Sequence, residues 1–234
     1  MAEEVRDIAG RPWPTSPFAP IVDQAYRVFD YPTPLTTGVC DCCTDRRLMR
    51  ELLTLDRRTI GVEHFRDWYD GAGDPPHETW GYFLPRILEL LAQGHRLAGL
   101  NDYVLQRGPT GVPSAWSGAE WRLLDAWQRA YIDALPLQAR IRLDDALTML
   151  VLGGWPLDAL TPQLLTWPDE ALIDTLWREW CLPGHEPEIT AWGLWDDEEE
   201  AALLAFYRSD PLAWRIVCFA LAGTDSPASV ARAR

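Results

Sequence analysis

Apolar residues in this chain recur three and four positions apart, and little of the sequence alternates with period two. This spacing places apolar side chains along one face of an α-helix, whereas a half-buried strand needs strict alternation. In the first half, such stripes predict helices around residues 21–29, 48–53, 62–69 and 83–91. The predicted fold class is therefore all-α, either a multi-helix bundle or an irregular, solenoid-like arrangement of helix pairs.

Capping residues and prolines place the ends of several predicted helices. Thr44 is expected to be the N-cap of the second helix, with Asp45 in its first turn. Pro85 must lie in the first turn of the fourth helix or kink it, because proline offers no amide hydrogen to a helix interior. Ser117, with Glu120 three residues later, has the spacing of a capping box and predicts a fifth helix that runs to about residue 135.

The second half of the chain indicates short helices joined by tight turns. A proline near the first helical position favours helix initiation, because its φ angle is already close to the helical value. Four prolines are expected in such places: Pro156, Pro162, Pro168 and Pro211. The helices predicted here span roughly residues 142–153, 156–165, 168–181, 196–208 and 210–222.

A segment rich in glycine and proline divides the sequence. Residues 108–118 are the best candidate boundary. They separate an N-terminal helical region with a cysteine-rich turn, residues 1–107, from a C-terminal helical region, residues 119–234, that is rich in tryptophan and acidic residues. The alternative is that both regions belong to one continuous domain.

The chain is strongly acidic, which narrows the choice of partners. Its 234 residues are 47% hydrophobic and include 35 acidic residues against 21 arginines and no lysine, for a net charge of -14. Residues 1–117 contain 16 acidic residues and 12 arginines, a net charge of -4. Residues 118–234 contain 19 acidic residues and nine arginines, a net charge of -10. Proteins that hold nucleic acid by its phosphates need a basic face, so no nucleic-acid partner is expected.

The sequence predicts a cytoplasmic protein without a membrane partner. The N-terminus carries early acidic residues rather than the apolar run of a secretory signal, and no apolar stretch approaches the roughly 20 residues of a membrane span. The five cysteines are an odd number, and three of them fall within four residues. A disulfide framework would spread its cysteines along the chain, so a reducing compartment is the better match.

The stretch Cys40-Asp41-Cys42-Cys43 leaves three interpretations open. The favoured one is a tight turn before a helix, with thiols buried as small apolar groups and no cofactor. Cys40 and Cys43 also have the C-x-x-C spacing that can place two thiolates on a zinc ion, although the four histidines supply no second ligand pair of recognisable spacing. The third interpretation is redox chemistry, which usually follows a strand that the sequence does not predict here.

The stretch from Phe83 through Pro85 to Ile87 predicts mainly core packing, with Arg86 paired to Glu89 across one helical turn. This FLPRI stretch, the C-x-x-C turn and the intervening apolar positions together resemble a family of uncharacterised bacterial proteins, over about the first 95 residues. Members of that family have a histidine directly before the FLPR run, where this chain has tyrosine. The resemblance implies a bacterial, cytosolic, helical protein and no particular activity.

Tryptophan is abundant and leads to the candidate binding site. Nine of the thirteen tryptophans lie between residues 121 and 214. Two of them flank a glycine and precede an acidic run, and aromatic anchors beside a charged rim are typical of protein interfaces. The candidate partner-binding residues are Trp192, Trp195, Asp196, Asp197, Glu198, Glu199 and Glu200. The alternative is two half-buried tryptophans followed by acidic residues that only offset a helix dipole.

No standard catalytic motif is present, and no catalytic residue is predicted. The carboxylates of Asp144 and Asp145, and of Asp67 near His64, are expected to face solvent rather than perform acid–base chemistry. The leading hypothesis is an inhibitor, an immunity protein that occludes the active site of a basic bacterial toxin domain. The first alternative is a metal-stabilised helical adaptor or regulator that uses Cys40 and Cys43. The second is an enzyme of unfamiliar type that uses Cys43 as its nucleophile, or a histidine in a cleft between the two halves.

Overall fold

A computed structural model describes residues 5–99, 103–137, 141–181, 188–189, 191 and 197–222. Over those residues the secondary structure is helical, with two isolated β-bridge pairs and no strand. The all-α prediction is therefore confirmed. In chain order the α-helices are α1 Phe18–Val28, α2 Arg46–Thr54, α3 Val62–Asp70, α4 His77–Ala92, α5 Gly118–Ala134, α6 Leu143–Leu152, α7 Leu157–Leu164, α8 Asp169–Trp180, α9 Asp197–Tyr207 and α10 Asp210–Ala222.

The capping signals place one helix start correctly and miss another by one residue. At α5 the Ser117 hydroxyl accepts the amide hydrogen of Glu120 over 3.4 Å, and the Glu120 carboxylate accepts that of Ser117 over 2.8 Å, as the capping box predicts. At α2 the N-cap is Asp45, whose carboxylate accepts two amide hydrogens of the first turn. Thr44 is not the cap, because its hydroxyl donates to the carbonyl of Cys40 over 3.1 Å.

Two prolines lie inside helices rather than at their starts. Pro85 is in the interior of α4 and Pro162 in that of α7, whereas Pro156 and Pro168 occupy N-cap positions and Pro211 is the second residue of α10. An interior proline costs a backbone hydrogen bond and about 3 kcal/mol. In α4 burial outweighs that cost, because twelve of its sixteen residues are buried and each large apolar side chain contributes roughly 1.5–3 kcal/mol.

One hydrophobic cluster extends along the chain from Ile8 to Leu212 and includes most of α4. Helix α1 packs against both α4 and α5. In this contact the ring of Phe18 lies 6.4 Å from that of Trp127 and 6.5 Å from that of Tyr131, measured between centroids. The core therefore takes side chains from both sides of the 108–118 segment.

Several residues of the 108–118 segment are buried against helices of both regions. Gly108 lies on the indole of Trp80 in α4, where a Cβ atom would approach the indole nitrogen to within 1.9 Å. The amide of Gly111 donates to the carbonyl of Gly153, directly after α6, over 2.7 Å. These contacts tie the segment to both regions, and the division at residues 108–118 stays a prediction.

Three arginines reach across the fold to carbonyl oxygens at or near helix ends. Arg57 donates to carbonyls at the C-terminal end of α1, Arg107 to those of α3, and Arg215 to carbonyls just beyond α7. The last carbonyls of a helix lack intrahelical partners and carry partial negative charge, which suits a planar guanidinium with several donors. The predicted pair of Arg86 and Glu89 is also present, at 2.8 Å.

Candidate functional site

Residues 40–43, the cysteine turn, are fixed by their backbone against the loop that precedes α4. The amide of Cys40 donates to the carbonyl of Ala72 over 2.7 Å. Just before the turn, Gly38 has a positive φ of 74°, and a Cβ atom there would lie 2.5 Å from Pro75. Only glycine fits this close approach. The first cysteine of the turn is thus held in place, while the later ones project from the surface.

The three sulfurs of the cysteine turn lie within 4.8 Å of one another. Cys40 and Cys42 form a disulfide, and the Sγ atom of Cys43 is 3.5 Å from that of Cys42. Cys42 and Cys43 are exposed and Cys40 is half-buried, so the prediction of buried apolar thiols is wrong. The turn packs through its backbone rather than through its side chains. The C-x-x-C spacing pointed to Cys40 and Cys43, and the structure adds Cys42 to the group.

The cysteine turn leads into α2, which polar contacts fix on α3. Asp67 accepts the amide hydrogen of Asp45 over 2.7 Å, and the Nε2 atom of His64 lies 3.0 Å from the carboxylate of Glu51. The hydrogen bond from His64 lowers the pKa of Glu51. His64 is buried rather than paired with Asp67 at the surface, because α2 covers it. Both residues therefore position the turn and α2.

The predicted acidic run begins α9. Asp197, Glu198 and Glu200 are exposed, and Glu199 is half-buried. Negative charges in the first turn offset the partial positive charge of a helix N-terminus, so part of this acidity stabilises α9 itself. The other members of the predicted site lie outside the described residues: Trp192, Trp195 and Asp196.

Helix α10 exposes an apolar ridge that the sequence prediction missed. Trp214, Val217 and Leu221, the α10 ridge, share one helical face and are 69%, 47% and 70% exposed. Leu212 is the one buried residue of this helix. Grouped, exposed apolar side chains mark interaction surfaces. In the sequence the same spacing also marks a core stripe, so the pattern alone cannot separate the two cases.

Buried polar contacts hold α9 and α10 on the rest of the fold. The Tyr207 hydroxyl donates to Asp144 of α6, and the Tyr207 ring centroid lies 5.4 Å from that of Trp180. Asp144 is fully buried, so the expectation that it faces solvent is wrong. Burial raises the pKa of Tyr207 well above its ordinary value and Asp144 raises it further, so the hydroxyl stays protonated as a donor. In α10, Arg215 donates to two carbonyls before α8 over 2.7 and 2.6 Å.

Glu179 of α8 caps α6 from outside that helix. Its carboxylate accepts the amide hydrogen of Leu143 over 2.7 Å and a guanidinium hydrogen of Arg142 over 3.0 Å. The N-cap side chain of α6 makes no such bond, so this carboxylate replaces a local cap. Burial raises the pKa of Glu179 by more than these two neighbours lower it. The group therefore serves the packing of α6 on α8.

Two surface clefts, of about 280 and 350 Å³, do not gather the groups of a nucleophilic site. The smaller lies between α1 and α5, and its charged group is Arg122. In the larger, the Tyr69 hydroxyl donates to the carbonyl of Val104, and Arg107 donates to carbonyls at the end of α3. A nucleophile needs a base within hydrogen-bond reach, and neither cleft contains a cysteine, serine or histidine.

None of the described helices is long and apolar enough to cross a membrane. Comparisons with protein-family models, with curated proteins and with solved structures find no match to this chain. The resemblance of the first 95 or so residues to the FLPRI family therefore stays a prediction. Two features remain as candidates for function: the cysteine turn, and the α10 ridge with the acidic first turn of α9.

Proposed function

We propose that this chain is a protein-binding inhibitor, an immunity protein that binds a basic toxin domain in the cytoplasm and occludes its active site. The observation that carries the proposal is the α10 ridge. Its Trp214 is 69% exposed, and tryptophan is among the residues that contribute most to binding when a partner buries them. Covering the ridge would remove the apolar surface of three side chains from water, which favours association.

The charge of the chain supports a basic partner. The net charge is -14, and the first turn of α9 consists of four consecutive acidic residues. Only Arg208 and Ser209 separate α9 from α10, so the acidic turn and the ridge belong to one helical pair. Acidic side chains accelerate association with a basic cleft and fix its register, while apolar contact supplies affinity. Domains that cleave nucleic acid present such clefts.

A matched pair of leucine variants tests the ridge. The tagged chain captures its partner from the organism that produces it, and the purified partner is titrated with each variant. Leu221→Ser should weaken binding by about tenfold or more, because an apolar contact of the ridge is lost. Leu35→Ser is the control, since Leu35 is 99% exposed but lies outside α10. Equal losses in the two variants, or none in either, would contradict the ridge as the binding surface.

Charge reversal tests the acidic turn. Asp197→Arg combined with Glu200→Arg should lower the association rate and flatten its dependence on salt. The control reverses Asp158 and Glu170, which are exposed first-turn acids of α7 and α8. The same change in both double variants would assign the effect to net charge rather than to α9. A partner that keeps its full toxic activity when saturated with this chain would contradict inhibition.

A further inference from the structure

The cysteine turn brings together more sulfur ligands than a C-x-x-C pair. The sulfurs of Cys40, Cys42 and Cys43 lie within 4.8 Å of one another. Thiolates on a shared metal ion, at a metal–sulfur distance of about 2.3 Å, lie about 4 Å apart. Small side-chain rotations would therefore bring the three sulfurs onto one ion. Cys181, which follows α8, and Cys218, in α10, stand apart from this group.

We propose that the reduced cysteine turn binds one copper(I) ion through the thiolates of Cys40, Cys42 and Cys43, independently of the inhibitor function. Soft thiolates select copper(I) and zinc among the biological metals. Three thiolates complete a trigonal shell around copper(I), whereas tetrahedral zinc on the same three sulfurs would also need a water molecule as its fourth ligand. Among the described residues, no histidine or carboxylate joins the three sulfurs within 4.8 Å. The donor set therefore favours copper(I).

Reduction of the disulfide between Cys40 and Cys42 makes this site available. The sulfur–sulfur bond takes up two electrons and two protons from a thiol reductant, which leaves as its own disulfide, and two thiols form. Copper(I) then displaces three thiol protons, because the thiolate is the ligand. In the oxidised turn only Cys43 is a free thiol. Disulfide formation and metal binding are therefore mutually exclusive, and the redox state of the turn gates the site.

The backbone holds the turn near the geometry that binding requires. The amide of Cys40 is bound to the carbonyl of Ala72, and the amide of Cys42 points at the Sγ atom of Cys40 over 3.3 Å. An amide hydrogen bond to sulfur stabilises a thiolate. The exposure of Cys42 and Cys43 gives the ion a path from solvent.

Copper(I) titration of the intact chain tests the proposal. The chain is reduced, freed of reductant without oxygen, and titrated in competition with a chromogenic copper(I) chelator. We expect one equivalent of copper(I) per chain, with three sulfur neighbours by X-ray absorption. The unreduced chain should take up no more than about a tenth as much, since two of its three ligands are bonded to each other. Equal uptake before and after reduction would overturn the redox gate.

Serine variants test the ligand set. Cys43→Ser changes an exposed side chain and should weaken copper(I) binding by about tenfold or more, with the helix content unchanged by circular dichroism. Cys181→Ser and Cys218→Ser are the controls and should bind like the unmodified chain. Binding that survives Cys43→Ser undiminished, or that is lost in either control, would overturn the three-cysteine site. Zinc uptake in preference to copper(I) would overturn the trigonal assignment.

Discussion

Helices α4 and α10 are both rich in apolar residues, yet α4 is mostly buried and α10 is mostly exposed. Twelve of the sixteen residues of α4 are buried, with Leu84 fully so. In α10 only Leu212 is buried, and Trp214 and Leu221 keep more than two thirds of their surface exposed. Apolar spacing shows which residues share a helical face, whereas neighbouring elements decide whether that face is covered. A helical face whose grouped apolar side chains are exposed is typical of a binding surface.

The two regions also differ in how much apolar packing holds them. α4 is surrounded by apolar side chains of the main cluster. The helical pair α9 and α10 buries only Leu203, Tyr207 and Leu212 in that cluster. Polar contacts add to this packing, chiefly Tyr207 with Asp144 and Arg215 with carbonyls before α8. We therefore expect packing changes to dominate stability around α4, and changes of single hydrogen-bonding groups to have a larger share of the effect around α9 and α10 than around α4.

The same leucine-to-alanine substitution should change the free energy of unfolding strongly in α4 and little in α10. Leu84→Ala should lower the free energy of unfolding by about 3 kcal/mol, because it leaves a cavity in the core. Leu221→Ala should change it by less than about 0.5 kcal/mol, because that side chain is 70% exposed. Urea denaturation measures both values. Similar losses would mean that α10 is packed as tightly as α4.

Removing the Tyr207 hydroxyl should have the next largest effect. Tyr207→Phe deprives the buried Asp144 carboxylate of a donor, which should cost about 2 kcal/mol of unfolding free energy. Tyr103→Phe, in a half-buried tyrosine beside a surface cleft, is the control and should cost less than about 0.5 kcal/mol. A Tyr207→Phe variant as stable as the control would show that this hydrogen bond does not hold α9.

Arg215→Met should weaken the attachment of α10 by about 1–2 kcal/mol, because two carbonyls and the carboxylate of Asp169 lose their donor. Hydrogen exchange should accelerate in α10 and stay unchanged in α4. The exposed Arg208 supplies the control, Arg208→Met, which should leave exchange in α10 as it is. Faster exchange throughout the chain would indicate global rather than local loosening.

The smallest effects concern pH, and they have opposite signs in two regions. Burial raises the pKa of Asp7, but hydrogen bonds from Ser16 and Arg11 outweigh it and leave the pKa below its ordinary 3.8. The stability contributed by Asp7 is therefore present above pH 3.8 and lost as the pH falls. The folded chain raises the pKa of Glu179 above its ordinary 4.5. As the pH rises past 4.5, the unfolded chain therefore loses this proton before the folded chain does, and the stability contributed by Glu179 decreases.

Denaturation at several pH values checks both signs. The stability of the unmodified chain relative to Asp7→Asn should increase with pH across the acidic range, and its stability relative to Glu179→Gln should decrease. Slopes of the same sign for the two variants would show that one of these carboxyls does not titrate as its surroundings indicate.

The helices follow from the sequence more closely than the surfaces do. Apolar spacing and local caps, such as Ser117 with Glu120, depend on neighbours along the chain, so most helix spans are predicted to within a few residues. The exception is α4, which begins at His77, six residues before the predicted start. The burial of Asp144 depends on Tyr207, which lies 63 positions away. The spacing of apolar residues does not predict a contact between residues so far apart in the sequence.

The candidate sites, too, depend on long-range contacts that the sequence pattern does not predict. The C-x-x-C spacing selects Cys40 and Cys43, but the turn conformation that adds Cys42 is set by a hydrogen bond to Ala72. The acidic turn of α9 is visible as a charge run, whereas the α10 ridge is indistinguishable in sequence from a core stripe. Whether a helical face is covered depends on long-range packing.

Residue-level oxidative footprinting of the complex with the captured partner tests whether the partner covers the α10 ridge. Trp214 is 69% exposed in the free chain and should label readily there. In the complex its labelling rate, and that of Leu221, should fall by about tenfold, while Leu35 labels as before. Unchanged labelling of Trp214 in a saturated complex would contradict the assignment of the α10 ridge as the surface through which this protein acts.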